Sequence, residues 1–283
     1  MAKCVQCGRE LPAFSFGKKQ CAWCVQHEAA QRGEGSDVQR VEAAPWARPD
    51  SSSMLVTQII VGINVLVFVA MVMKGVSPVN PTYKDLLIWG ANFGPLTITG
   101  QWWRLLTCVF VHIGLMHIAL NMWCLWGLGR LAESMYGRWT FAGIYLITGV
   151  SASVASLAWS PVRISAGASG AIFGIAGALI TSLYLGEFAM PGPMVTALRN
   201  SVLKFAGYNL VIGAFLGRTD NSAHVGGLVS GLILGALLAK VAPKQDDVPR
   251  RLAVLFVGVL IAFAGAFWAQ HAYGPMVQQM LQR

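Results

Sequence analysis

Residues 56–73 carry no charged side chain and almost nothing polar. Stretches with at most one lysine or arginine follow at residues 117–131, 141–159, 170–185, 202–216, 225–241 and 252–270. A helix of about 20 apolar residues crosses a hydrocarbon core of about 30 Å and satisfies its own backbone there. The stretch at 117–131 is short unless its helix begins near Val109, which would carry His112 and His117 into the span or to its end. Seven membrane-spanning helices are therefore expected, in an all-α membrane protein. The stretches do not alternate polar with apolar residues, which argues against a closed β-barrel. Only 12% of the 283 residues are charged, about half the share of an ordinary soluble domain.

The net charge of +9 matters less here than where it lies. With the N-terminus in the cytoplasm, most of the 21 lysines and arginines fall on the cytoplasmic side. That bias predicts N-in, C-out. No basic-then-apolar leader opens the sequence, so the first span is expected to act as its own insertion signal. The expected location is a bacterial inner (plasma) membrane. The lipid bilayer is then one partner, and no nucleic acid is expected.

Residues 1–25 differ from the rest. Cys4-Val5-Gln6-Cys7 and Cys21-Ala22-Trp23-Cys24 are two C-x-x-C pairs separated by thirteen residues. Four thiolates so paired suit a tetrahedral structural Zn²⁺, with no open position for water. A redox dithiol or a disulfide pair is the rival reading, disfavoured in a reducing cytoplasm. This zinc-ribbon-like module could recruit an unidentified cytoplasmic partner, sense metal or cap the tail. Residues 26–53 read as a flexible linker, 242–251 as a polar connector, 252–271 as an additional span and 272–283 as a tail. Between the first two spans, residues 74–108 hold Trp89, Trp102 and Trp103, a density suited to the membrane interface.

Polar side chains inside spans are costly and point to function. Here they are Asn64, His112, His117, Asn121, Ser169 and His224. In the N-in topology spans two, four and six all enter from the outside. They bring His112, His117 and Asn121, then Ser169, then His224, to one outer depth. His224, Gly227, Gly231 and Gly235 share one helix face, and Ser169, Gly170, Gly174 and Gly177 nearly share another. Small residues so spaced let helices approach closely in lipid. If the two stripes face each other, Ser169 meets His224.

Serine needs a general base to lose its proton, and histidine suits that task. No Asp or Glu lies in a span at this depth, so the unit would be a dyad. His117 and Asn121, at i and i+4, could both donate to an oxyanion, as could the Ser169 N–H. Gly167 keeps the turn before Ser169 unobstructed. Other readings compete: a span serine often bonds back to its own helix, and His112, His117 and His224 could hold a metal.

At these residues the chain resembles the rhomboid intramembrane serine proteases. The carriers are His112-x-x-x-x-His117-x-x-x-Asn121, Gly167-Ala168-Ser169-Gly170, Ala223-His224-Val225-Gly226-Gly227-x-x-x-Gly231, and Trp103-Arg104 in the first loop. The resemblance covers residues 54–241 and implies a six-helix core, with 252–271 as a seventh span. It implies Ser169 as nucleophile and His224 as base. His117, Asn121 and the Ser169 N–H would form the oxyanion hole, supported by His112. It further implies catalysis without a cofactor, and single-span membrane proteins as substrates, cut in or near a transmembrane segment. Many members carry Tyr where this chain has Phe173; the ring can still stack on the histidine. A catalytically inactive rhomboid-like binder and a transporter are the alternatives. Inactive relatives typically lack the serine or the histidine, and no internal repeat or mid-span carboxylate favours transport.

Overall fold

The computed structural model describes residues 4–7, 20, 24, 54–186, 192–216 and 219–281. They belong to two compact units, Met1–Pro45 and Trp46–Arg283. Among the described residues of the second unit the regular structure is helical, apart from one antiparallel bridge between Asn92 and Ser165.

The long helices are α1 (Leu55–Met73), α5 (Leu115–Tyr136), α6 (Arg138–Trp159), α7 (Ser169–Leu185), α8 (Gly192–Leu216), α9 (Asn221–Val241) and α10 (Val248–Leu281). Three short helices, α2 (Tyr83–Ile88), α3 (Gly94–Ile98) and α4 (Arg104–Thr107), fold the loop between α1 and α5. Among the described residues, four helices are long and apolar enough to cross a membrane: α1, α6, α9 and α10. α7 is as apolar but has only 17 residues. The protein is thus an all-helical, multi-span membrane protein. α5 starts at Leu115 rather than near Val109 and runs on to Tyr136. α10 continues past residue 271 to Leu281, so most of the stretch read as a tail is helical.

α7 is the centre. Nearly all of it is buried among its neighbours. At about 1.5 Å per residue it rises about 25 Å, less than a hydrocarbon core of about 30 Å. Glycines set its contact with α9. A Cβ on Gly227 would lie 2.0 Å from the Gly170 carbonyl oxygen, and one on Gly231 would lie 1.9 Å from that of Gly174. The two small-residue stripes face each other at backbone contact.

Buried polar groups tie the ends. The Glu133 carboxylate of α5 accepts from Val56 N–H (3.0 Å), Thr57 N–H (2.8 Å) and the Thr57 hydroxyl (2.7 Å). It thereby satisfies first-turn donors of α1 that have no intrahelical partner. At the end of α5, the Tyr136 carbonyl accepts from Arg251 Nη1 (2.7 Å), and Gln245 Nε2 donates to the Ser134 and Met135 carbonyls (2.9 and 2.7 Å). The connector and the start of α10 are thus bonded to the core. In the first loop Arg104 Nη1 donates to the Leu87 and Ala91 carbonyls (2.7 and 2.9 Å), which holds the loop's turns together.

Candidate active site

Ser169 is the first residue of α7, immediately after Ala168 at the cap. The turn before it needs Gly167, whose φ of +126° lies where side chains are rarely tolerated. Two N–H groups hold that turn: Gly167 donates to the Cys108 carbonyl (2.9 Å) and Ala168 to His112 Nε2 (3.4 Å). His112 is fully buried, and its Nδ1 faces the Phe110 carbonyl at 3.3 Å. A carbonyl can only accept, so Nδ1 carries the ring proton and Nε2 is left to receive Ala168.

His117 takes the opposite tautomer. Its Nδ1 accepts from the Ile113 N–H at 3.2 Å, so Nε2 carries the proton. That nitrogen faces the turn: a Cβ on Gly167 would lie 3.0 Å from His117 Nε2 and 3.7 Å from Asn121 Nδ2. Asn121 donates one amide hydrogen to the His117 carbonyl (3.0 Å) and keeps the other. The Ser169 N–H, at a helix start, has no acceptor within its helix. Three donors thus gather beside the serine.

His224 lies in the first turn of α9, with Nε2 2.9 Å from Ser169 Oγ. Its ring stacks on Phe173, with centroids 4.4 Å apart and planes at 17°. Phe173 in turn meets Phe205 of α8 at 5.8 Å. His224 is buried while Ser169 is only partly so. Both His112 nitrogens are engaged by the backbone, which removes it from a three-histidine metal site. Among the described residues, the group of His, Cys, Asp and Glu close enough to share an ion is Cys4, Cys7 and Cys24.

The family model for the Rhomboid domain matches residues 99–241, half of the chain, and those residues contain every side chain of this site. The chain belongs to the rhomboid family. It is 35% identical over 227 residues to the rhomboid protease GluP of Bacillus subtilis (strain 168), covering 79% of this chain and 43% of that protein. It is 29% identical over 238 residues to the rhomboid protease AarA of Providencia stuartii, covering 76% of this chain and 82% of that protein. Over 180 residues it is 30% identical to rhomboid-like protease 2 of Toxoplasma gondii, 62% of each chain. The chain therefore spans less than half the length of the Bacillus protein and is homologous to rhomboid serine proteases.

This rhomboid holds polar groups near the site that sequence reasoning missed. Asp220 caps α9, accepting from the Ala223 N–H, the Ser222 hydroxyl and, at 2.6 Å, the Ser156 hydroxyl at the end of α6. Burial opposes its ionisation, but these bonds, with one from Ser165, outweigh it and hold the carboxyl below its usual range. Asn221 stands 3.2 Å from His224 Nδ1 through Oδ1, and its Nδ2 donates to the Leu210 carbonyl at 3.0 Å. An Asp-Asn pair before a span reads as an ordinary helix cap, and its i−3 spacing from His224 was the available signal.

In the first unit the thiols of Cys4, Cys7 and Cys24 all lie within 4.8 Å of one another, and Cys4 and Cys24 are 3.8 Å apart. Thiolates about 2.3 Å from a tetrahedral metal sit about 3.8 Å from each other, which is the spacing of the Cys4–Cys24 pair. Cys21, the fourth expected ligand, lies outside the described residues, as do most of 1–25 and all of the 26–53 linker.

Proposed function

We propose that the chain is an intramembrane serine endopeptidase that cuts single-span membrane proteins in or near their transmembrane segments. The observation that carries this reading is the 2.9 Å contact between Ser169 Oγ and His224 Nε2 at the head of a short, buried helix. His224 takes the proton as Ser169 Oγ attacks the scissile carbonyl, then gives it to the leaving amine. Charge developing on the carbonyl oxygen is met by His117 Nε2–H, an Asn121 amide hydrogen and the Ser169 N–H, while His112 keeps the turn in place. Water then attacks the acyl carbonyl as His224 takes its proton, and His224 returns that proton to Ser169 Oγ as the acyl–serine bond breaks. No metal or cofactor takes part in the chemistry.

Around that site the proposed architecture is a six-span core over residues 54–241, α1 and α5 to α9, with α10 as a seventh span. The N-terminus is assigned to the cytoplasm and the C-terminus to the outside of a bacterial inner membrane. Cys4, Cys7 and Cys24, with Cys21, are assigned to a structural zinc.

The test is labelling of the detergent-purified chain by a fluorophosphonate, beside cleavage of a single-span substrate. Ser169→Ala and His224→Ala are expected to abolish both, a loss of at least about 1,000-fold. A chelator is expected to remove one zinc per chain, read by elemental analysis, and to leave wild-type labelling intact. A folded wild type that neither labels nor cleaves would identify an inactive binder. Cleavage that survives Ser169→Ala and dies with chelator would overturn the serine mechanism.

A further inference from the structure

We propose that Asn221 is a positioning residue for catalysis: anchored by the Leu210 carbonyl of α8, it fixes the His224 tautomer able to take the Ser169 proton. The inference rests on the protease reading above and adds a third side chain to its dyad.

The argument is one of donors and acceptors. The two ends of a carboxamide can be exchanged by a flip, so its orientation must be read from its partners. The Leu210 carbonyl, 3.0 Å away, can only accept, so Asn221 Nδ2 must face it. Oδ1 is thereby turned to His224 Nδ1 at 3.2 Å, and Oδ1 can only accept. The ring proton of the neutral imidazole therefore sits on Nδ1. Nε2 keeps its lone pair, and Ser169 Oγ lies 2.9 Å from it. A flipped amide would set oxygen against the Leu210 carbonyl and N–H₂ against Nδ1. Nδ1 would then accept, Nε2 would hold the proton, and His224 could not act as a base. A backbone carbonyl on α8 thus decides which way the serine–histidine bond points.

Two features fit this assignment. Asp220 is adjacent in sequence, but its carboxylate is taken up by Ser156, Ser222 and Ala223. A neutral amide also orients the imidazole without placing a second carboxylate at the mouth of the bundle, where burying a charge is costly. When His224 becomes an imidazolium, Oδ1 still accepts from Nδ1–H.

The experiment compares wild type with Asn221→Ala, Asn221→Asp and Ser169→Ala as full chains in detergent. It measures kcat and KM on a single-span substrate, fluorophosphonate labelling rates from pH 5 to 9, and thermal midpoints. Asn221→Ala is expected to lower kcat about 10- to 100-fold with KM within about twofold, the usual effect of removing an orienting partner. Asn221→Asp restores an acceptor for Nδ1–H. It is expected to recover about tenfold of that loss and to move the acid limb of the labelling profile upward by about one pH unit, because a carboxylate favours the imidazolium. The other titratable groups that bear on His224 are Asp220 and, from α5, His117. Both are unchanged across the series, so the moved limb reports on position 221.

If Asn221→Ala keeps kcat within twofold of wild type, the proposal is overturned while the protease reading stands. The same holds if both variants lose rate equally and the acid limb stays where it was. Should Asn221→Ala fail to fold, the acid limb of Asn221→Asp decides. A wild type that labels no better than Ser169→Ala removes the protease reading and this proposal together.

Discussion

Asp220 shows how one carboxylate can serve three segments. It receives hydroxyls from Ser156 on α6 and Ser222 on α9, a bond from Ser165 in the loop before Ser169, and the Ala223 N–H at its own helix start. Because these bonds depress its folded pKa, it contributes stability that is complete above the unfolded value near 3.8 and is lost as pH falls through the lower folded value. Asp220→Asn is expected to cost about 1–3 kcal/mol at neutral pH. Thermal midpoints in detergent should show the gap to wild type narrowing as pH falls from 5 to 3. A gap independent of pH would mean that the charge plays no part. The residue was invisible in the sequence because a cap and a three-segment tie use the same side chain. The gathering of Ser169, His224, His117, Asn121 and Gly167 was legible, because costly polar residues recur at one end of alternate apolar stretches.

Among the elements, α7 and α9 depend on each other most closely. Gly231 allows no side chain, since its Cβ would meet the Gly174 backbone oxygen at 1.9 Å, which no rotamer change relieves. Gly231→Ala must therefore push the helices apart and is expected to destabilise the fold by about 2 kcal/mol or more. Because Ser169 and His224 head those two helices, labelling should fall with it. Gly207 on α8 has open space around its Cβ position, so Gly207→Ala is the control, expected to change neither. Equal midpoints for the two variants would contradict the packing. The glycine stripes could be read from spacing alone. The seating of α1 on α5 could not, because Glu133 meets Val56 and Thr57 from 76 or 77 residues away and lies beyond the apolar stretch 117–131.

At the scale of the whole molecule, the order of the helices fixes the side on which each connection lies. In the proposed topology a reporter active only outside the cytoplasm should work when fused after Arg283 and fail when fused within residues 242–247. The reverse pattern would invert the assignment. Length and hydropathy pick out four described helices as long and apolar enough to cross a membrane, because His117, Asn121 and Arg130 dilute α5, Arg199 and Lys204 dilute α8, and α7 is short. What the sequence determined by itself was whatever depends on local period and chemistry: the apolar stretches, the small-residue faces, and the polar residues too costly to be incidental in lipid. Only the tertiary structure decided which groups share a proton. The tautomers of His112, His117 and His224 are set by the Phe110 carbonyl, the Ile113 N–H and the Asn221 amide. The last of these is held in turn by a carbonyl on another helix. Hydrogen bonds act over about 3 Å in space, and no spacing along the chain encodes which carbonyl will stand there.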